Sequence, residues 1–301
     1  MKTTYSSAEL ARLLQVNEST VKRWADAGEL ACAKTRGGHR RFAVATVMEF
    51  MQRKGLPVAL SVPDSLSNED VRAHVAAGHI HRLVPELRKE MMAGRDEGIL
   101  RLLRTAFIAK PRLLDVFSDL VFPPLADIGE EWHNGTLSVH EEHIASGALR
   151  EALAQFHAEV PRKQSNGLKA LCVCPEGEWH DIVIRCTAYF LESMGWTVLF
   201  MGQSSPTAAI VEAIGKYKPD LVAMSVVAPL HERSLLNAVN NDIHPAARRV
   251  HARLALGGPG ISGRWGEKVK AEHLCDTISE CEVLADPALY AGRRPGKESA
   301  Q

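Results

Sequence analysis

The chain of 301 residues is longer than one hydrophobic core usually organises, and its 46% hydrophobic and 24% charged content is that of a globular protein, which excludes disordered, collagen-like and miniature folds. The longest nearly apolar stretch, Leu221 to Leu230, is too short to cross a bilayer, and the first residues lack the apolar core of a secretory signal, so a cytoplasmic protein with no membrane role is expected. The balance of 36 basic and 36 acidic residues conceals an asymmetry: residues 1–54 carry ten Lys/Arg against five Asp/Glu, and the remainder is acidic by five. A basic end on an acidic body points to nucleic acid at the N-terminus and another partner elsewhere. Six cysteines without a Cys-x-x-Cys pair form neither a disulfide framework nor a zinc ribbon, and Cys172 and Cys174 are expected on one face of a buried strand.

Ser6 with Glu9 forms a capping box, and Leu10, Leu13 and Leu14 give the helix over 7–14 one apolar face. Asn17 is expected to cap a second helix that ends before Gly28, with Val21 and Trp24 inward and Ser19, Thr20, Lys22 and Arg23 outward. Two short helices joined by a tight turn, the second with hydroxyl and basic side chains on its free face, suit a major groove. Gly37-Gly38 between two extended arms then predicts a hairpin wing carrying Lys34, Arg36, His39, Arg40 and Arg41. Arg40 and Arg41 are expected on phosphate, where they position the protein without specifying sequence.

Those residues, TYSSAELARLLQVNESTVKRWADAGEL and TRGGHRRF, resemble the winged helix-turn-helix of MerR-type transcription regulators over about residues 4–50. The resemblance implies operator DNA as a partner and self-association as a dimer. The chain lacks the long dimerisation helix and cysteine-bearing loop of most MerR-type metal sensors, which disfavours metal-ion sensing.

Two prolines among small polar residues make 55–72 an expected linker, and helical periodicity (Leu100, Leu103, Phe107; Leu114, Phe117, Val121) makes 73–162 an expected four-helix bundle. In it, Asn134-Gly135 ends one helix and Ser138 with Glu141 caps the next. That brings Trp132, His133, Glu142 and His143 to one end of the bundle. A zinc-protease helix is excluded, because it needs histidines four apart and position 144 is Ile.

From residue 167 to about 295 apolar runs at 168–174, 197–201, 221–227 and 254–256 alternate with helical segments at 181–194 and 207–216. This predicts a doubly wound α/β domain with a parallel sheet covered on both faces and ligands beyond the carboxyl ends of its strands. Glu178-Trp179-His180, Ser225 and Gly257-Gly258 fall there. Gly258-Pro-Gly260-Ile-Ser-Gly263 satisfies Gly-x-Gly-x-x-Gly but comes too late in the domain for a dinucleotide fingerprint. The glycines are instead expected to let the backbone approach a bulky ligand.

This constellation resembles the cobalamin-binding, flavodoxin-like domain of methionine synthase and the mutases, whose pattern is Asp-x-His-x-x-Gly, then Ser-x-Leu, then Gly-Gly. Here it reads Glu178-x-His180-x-x-Val183, 41 intervening residues, Ser225-x-Val227, and Gly257-Gly258. The resemblance implies His180 as the lower axial cobalt ligand, oriented by Glu178, with Ser225, Gly257 and Gly258 lining a slot for the nucleotide tail. Val183 stands where the pattern has glycine.

In this order the three parts resemble the CarH or LitR class of light-responsive repressors, which carry Trp-x9-Glu-His in the bundle, matched by Trp132, Glu142 and His143. The resemblance implies a non-enzymatic repressor holding adenosylcobalamin. Trp132, Glu142 and His143 would cover the adenosyl group, His133 would take the vacated axial position after light, and a dark dimer of dimers would fall apart to release DNA. Two other readings stay open: a cobalamin-independent regulator of the same fold acting through protein partners, and a corrinoid-dependent methyl carrier or isomerase subunit.

Overall fold

Glu9 caps its own helix as expected: its amide donates to Ser6 Oγ (3.3 Å) while its carboxylate accepts from the Ser6 amide (2.9 Å). The computed structural model describes residues 4–14, 16–54, 69–228, 232–261 and 268–291. It divides into two compact units, Met1–Pro161 and Arg162–Gln301.

The first unit begins with β1 (Thr4–Ser6), α1 (Ser7–Leu13) and α2 (Glu18–Asp26). β2 (Ala33–Lys34), β3 (Arg40–Ala43) and α3 (Val44–Lys54) follow. Gly28, at φ +72°, turns the chain out of α2. Asn17 precedes α2 in an extended conformation, but its side chain makes no capping hydrogen bond, so that expectation is corrected. The wing is a hairpin of β2 and β3, and β1 adds a third strand beside β3 that the sequence reading did not anticipate. Leu10, Leu14, Val21, Leu30, Phe42 and Phe50 form the core of this module.

Residues 55–68 of the expected linker lie outside the described residues, and a helix is already under way from Glu69, inside the linker's expected bounds. The helices are α4 (Glu69–Ala76), α5 (Val84–Met92), α6 (Asp96–Ala109), α7 (Leu113–Val116), α8 (Phe122–His133) and α9 (Val139–His157). A π turn, Phe117–Val121, joins α7 to α8, so the bundle forms around α5, α6, α7–α8 and α9. All six residues of the predicted periodicity are buried. Ile108 of α6 packs against the core of the N-terminal module.

The second unit runs β4 (Lys169–Pro175), α10 (Ile182–Ser193), β5 (Thr197–Ser205), α11 (Thr207–Tyr217), β6 (Leu221–Ser225), α12 (Glu232–Ala238) and α13 (His244–Arg249). It closes with β7 (Arg253–Gly257), β8 (His273–Cys275) and α14 (Cys281–Leu284). The five strands are parallel in the order β5-β4-β6-β7-β8. That is the flavodoxin-like order, and its strand order reverses between β4 and β6, which opens a crevice at their carboxyl ends. Cys172 and Cys174 are both fully buried on β4. The residues 292–295 at the expected end of the domain lie outside those described.

Candidate functional site

Glu178 sits in the crevice, just beyond β4. It is 3% exposed, and its carboxylate joins its own loop to the loop after β6. Oε1 accepts from the His180 amide (2.8 Å) and lies 2.6 Å from His180 Nδ1. Oε2 accepts from the amides of Val227 (2.7 Å) and Ala228 (3.0 Å), just beyond β6. Burial alone would raise the Glu178 carboxyl, but hydrogen bonds from the His180 ring and from the amides of Ala228, His180 and Val227 outweigh it and hold the group below the ordinary glutamate value. One carboxylate therefore orients the imidazole and fixes the loop across the switch point.

The His180 side chain is 48% exposed, and with Nδ1 held by a carboxylate it would offer Nε2 to a metal. Ser225, at the end of β6, is 2% exposed, and its Oγ is buried without a hydrogen-bond partner among the described residues. A buried hydroxyl without a partner is costly in a finished core and is expected where a ligand supplies the partner. Val183 is half-buried in the first turn of α10.

The glycine pair also meets the chain's own backbone. A Cβ on Gly258 would lie 2.4 Å from the Val226 carbonyl oxygen, at φ +106°, and one on Gly257 would lie 3.2 Å from the Cys275 carbonyl oxygen. The chain's own backbone demands glycine at 258, where β7 closes against the loop after β6, and leaves little room for a side chain at 257 beside β8. Gly263 lies outside the described residues.

At the bundle end, Arg88 of α5 grips both carboxylate oxygens of Glu131 (2.9 and 2.7 Å), and the Glu131 carbonyl accepts from the amides of Thr136 (2.9 Å) and Leu137 (3.1 Å). The last turn of α8 is thereby pinned, with Trp132 (43% exposed) and His133 projecting into solvent. Glu141 reaches back to the Ser138 amide (3.0 Å) and starts α9. In its first turn Glu142 lies 2.6 Å from His143 Nδ1 and accepts from Ser146 Oγ. The four expected residues thus share one end of the bundle. Among the described residues no group of three or more His, Cys, Asp or Glu is placed to hold a bare metal ion.

In the N-terminal module Ser19, Lys22 and Arg23 are exposed on α2 and Thr20 is half-buried. Arg36 and His39 are exposed at the wing turn, where Gly38 adopts φ +77°. Arg40 and Arg41 are half-buried, and Arg40 forms an ion pair with Asp26 at the end of α2 (2.5 Å). Arg40 is therefore engaged in holding the wing to α2. A cleft of about 370 Å³ lies between these parts, lined by Ser6, Ser7, Lys22, His39, Arg40 and Arg41 among others.

Missed by the sequence reading were the amides of Val227 and Ala228 as partners of Glu178, and the buttress from β5, where the Ser204 amide donates to the Glu178 carbonyl (2.8 Å) and Ser204 Oγ accepts from the Gly177 amide (3.1 Å). Backbone partners leave no mark in composition or spacing; only the glycine at 177 hinted at the turn.

With this geometry in place, the comparisons define the class. A helix-turn-helix domain matches residues 4–55, and B12 binding domains match residues 83–156 and 168–280. The chain is 29% identical over 241 residues to the HTH-type transcriptional repressor CarH of Myxococcus xanthus, covering 75% of this chain and 79% of that one, and 26% identical over 227 residues to CarA of the same organism, covering 72% and 75%. The fold of a monomethylamine corrinoid protein of Methanosarcina barkeri superposes on it with a TM-score of 0.57 at 18% identity, over 66% of this chain and 95% of that one. The chain thus combines a match to a helix-turn-helix domain with matches to two B12 binding domains and similarity to two HTH-type transcriptional repressors. Against that class the second unit fits a cobalamin: it supplies a carboxylate-oriented imidazole at the switch point and a buried hydroxyl awaiting a partner.

Proposed function

We propose that the protein is a cobalamin-dependent transcriptional repressor that binds operator DNA in darkness with adenosylcobalamin and releases it in light. The single observation that carries this reading is the Glu178–His180 pair at the β4–β6 switch point, in a chain that also bears a winged helix-turn-helix. Adenosylcobalamin supplies a cobalt–carbon bond that visible light cleaves. His180 would hold cobalt from below, with Glu178 fixing its tautomer and orientation. Ser225 would donate to the nucleotide tail. Trp132, Glu142 and His143 would cover the adenosyl group, and His133 would offer cobalt a second imidazole. Ser19, Thr20, Lys22 and Arg23 would face the major groove, while Arg36, His39 and Arg41 meet phosphate and Arg40 anchors the wing. No catalytic turnover is asked of any residue, and the helix-turn-helix sets the chain apart from a methyl carrier.

The test is size-exclusion chromatography and a gel shift on the cofactor-loaded chain, using operator DNA selected from genomic fragments by the protein itself. The expected result is a larger, DNA-bound assembly of paired dimers in darkness that falls to a smaller, DNA-free species after green light, with His180→Ala impaired in the response. His133→Ala is expected to lose adenosine in light without reaching a stable bis-histidine spectrum. Identical profiles in darkness and light would remove the photoreceptor reading, because a ligand shifts an assembly only through contacts that differ between states.

A further inference from the structure

Trp179 is 61% exposed although it stands between two residues of the candidate site. Its carbonyl and both neighbouring residues are held by hydrogen bonds. Its carbonyl accepts from Gln203 Nε2 (2.8 Å); the preceding Glu178 has its amide on the Pro175 carbonyl (3.0 Å) and its carbonyl on the Ser204 amide (2.8 Å); and the following His180 amide is on Glu178 Oε1 (2.8 Å). Two left-handed positions flank this arrangement: Gly177 at φ +85°, which a residue without Cβ adopts freely, and Ser204 at φ +41°, unusual for a residue with a side chain. A large apolar ring is thus displayed in water on a segment with little freedom to withdraw it. Ordering such a segment leaves less entropy to lose on binding, so the indole is pre-organised for a partner.

We propose that Trp179 is a binding residue for the corrinoid macrocycle itself: its indole lies against the ring edge beside the cobalt that His180 takes, and shields that bond from water. The proposal rests on the corrinoid reading of this domain. The occupant follows from the neighbours. Trp179 is next in the chain to an imidazole whose Nδ1 is held by a carboxylate, an arrangement that suits a metal, and a metal carried in a broad, largely apolar ring offers an indole a surface of matching chemistry. Trp179 falls outside the residues that the Glu-x-His spacing singles out, because it occupies the unspecified position.

The experiment uses the full-length chain without cofactor and two probes, hydroxocobalamin and diaquacobinamide, the second lacking the nucleotide tail; affinities are measured by calorimetry and folding by thermal melts. Trp179→Ala is expected to weaken both probes about tenfold, which is about 1.4 kcal/mol. Trp179→Phe should recover most of the loss, and the melting temperature of the cofactor-free variants should be unchanged because the ring is exposed. Unchanged affinity in Trp179→Ala overturns the proposal, as does a loss confined to hydroxocobalamin, which would put the contact on the tail. A change in the oligomeric size of the cofactor-free variant also overturns it, in favour of a protein contact. Should the wild type bind neither probe, the corrinoid reading itself is wrong and the assignment falls with it, a result distinct from failure of Trp179 alone.

Discussion

A glutamate at position 178 is one methylene longer than the aspartate of the pattern it matches, and the extra reach lets one carboxylate serve both His180 and the Val227 and Ala228 amides while Ser225 Oγ stays unpaired. Replacing it with alanine strands three amides and frees the imidazole, so Glu178→Ala is expected to cost about 2 kcal/mol of stability, measured by urea unfolding. The sign with pH follows from the lowered carboxyl. Its contribution is present above the unfolded carboxyl range near about 4.3 and is lost as pH falls through the lower folded value. The stability difference between wild type and variant should therefore shrink on acidification below pH ~4; a constant difference would contradict the role given to the charge. At Val183, glycine is expected to tighten cobalamin binding by clearing the tail slot and to cost the helix about 0.5–1 kcal/mol. Calorimetry that finds equal affinities would show that the isopropyl group is accommodated. The thiols divide by burial: desolvation raises Cys172 and Cys186 and pushes Cys174 up to about 12, whereas a hydrogen bond from Cys281 lowers Cys275. A thiol reagent should accordingly label Cys275 in the native protein and leave Cys172, Cys174 and Cys186 untouched until it unfolds.

Among the elements, the wing gives the sharpest expectation. Arg40 is tied to Asp26, so its charge and its structural role can be separated by mutating the partner. Asp26→Ala should weaken operator binding and leave the salt dependence unchanged, whereas Arg41→Ala should weaken binding and reduce the slope by about 0.9 if it meets one phosphate. Gel shifts across a salt series check both, and equal slopes in all three proteins would remove Arg41 from the phosphate contacts. Which elements were legible depends on how local their causes are. Both Ser-x-x-Glu capping boxes and the alternation of apolar runs could be read, because partners three residues apart or two per strand turn are written in the sequence. The π turns Phe117–Val121 and Val239–Ile243 could not. Each precedes proline, Pro123-Pro124 in α8 and Pro245 in α13, and a proline that cannot donate to the preceding turn is accommodated by widening it. Among the described residues β8 pairs only with β7, and it is three residues long, too short for a periodic signal.

For the molecule as a whole, sequence order already separated a basic reading head, a helical bundle and a parallel sheet, because charge, a period near 3.6 and apolar alternation change at each boundary. The packing of Ile108 onto the N-terminal core was not legible, since nothing in an amphipathic helix says which neighbour covers a given residue. His180, Glu178 and Ser225 could be singled out in the sequence as candidates, but not the network that joins Glu178 to its backbone partners, and the backbone neighbours of the glycines come from distant strands that spacing does not reveal. On the proposed function the chain holds adenosylcobalamin through His180. This is tested most directly by the absorption spectrum of protein mixed with adenosylcobalamin in darkness and freed of unbound ligand. Wild type should retain about one equivalent, with a spectrum that changes on green illumination, and His180→Ala should retain less. A colourless wild type would contradict the account.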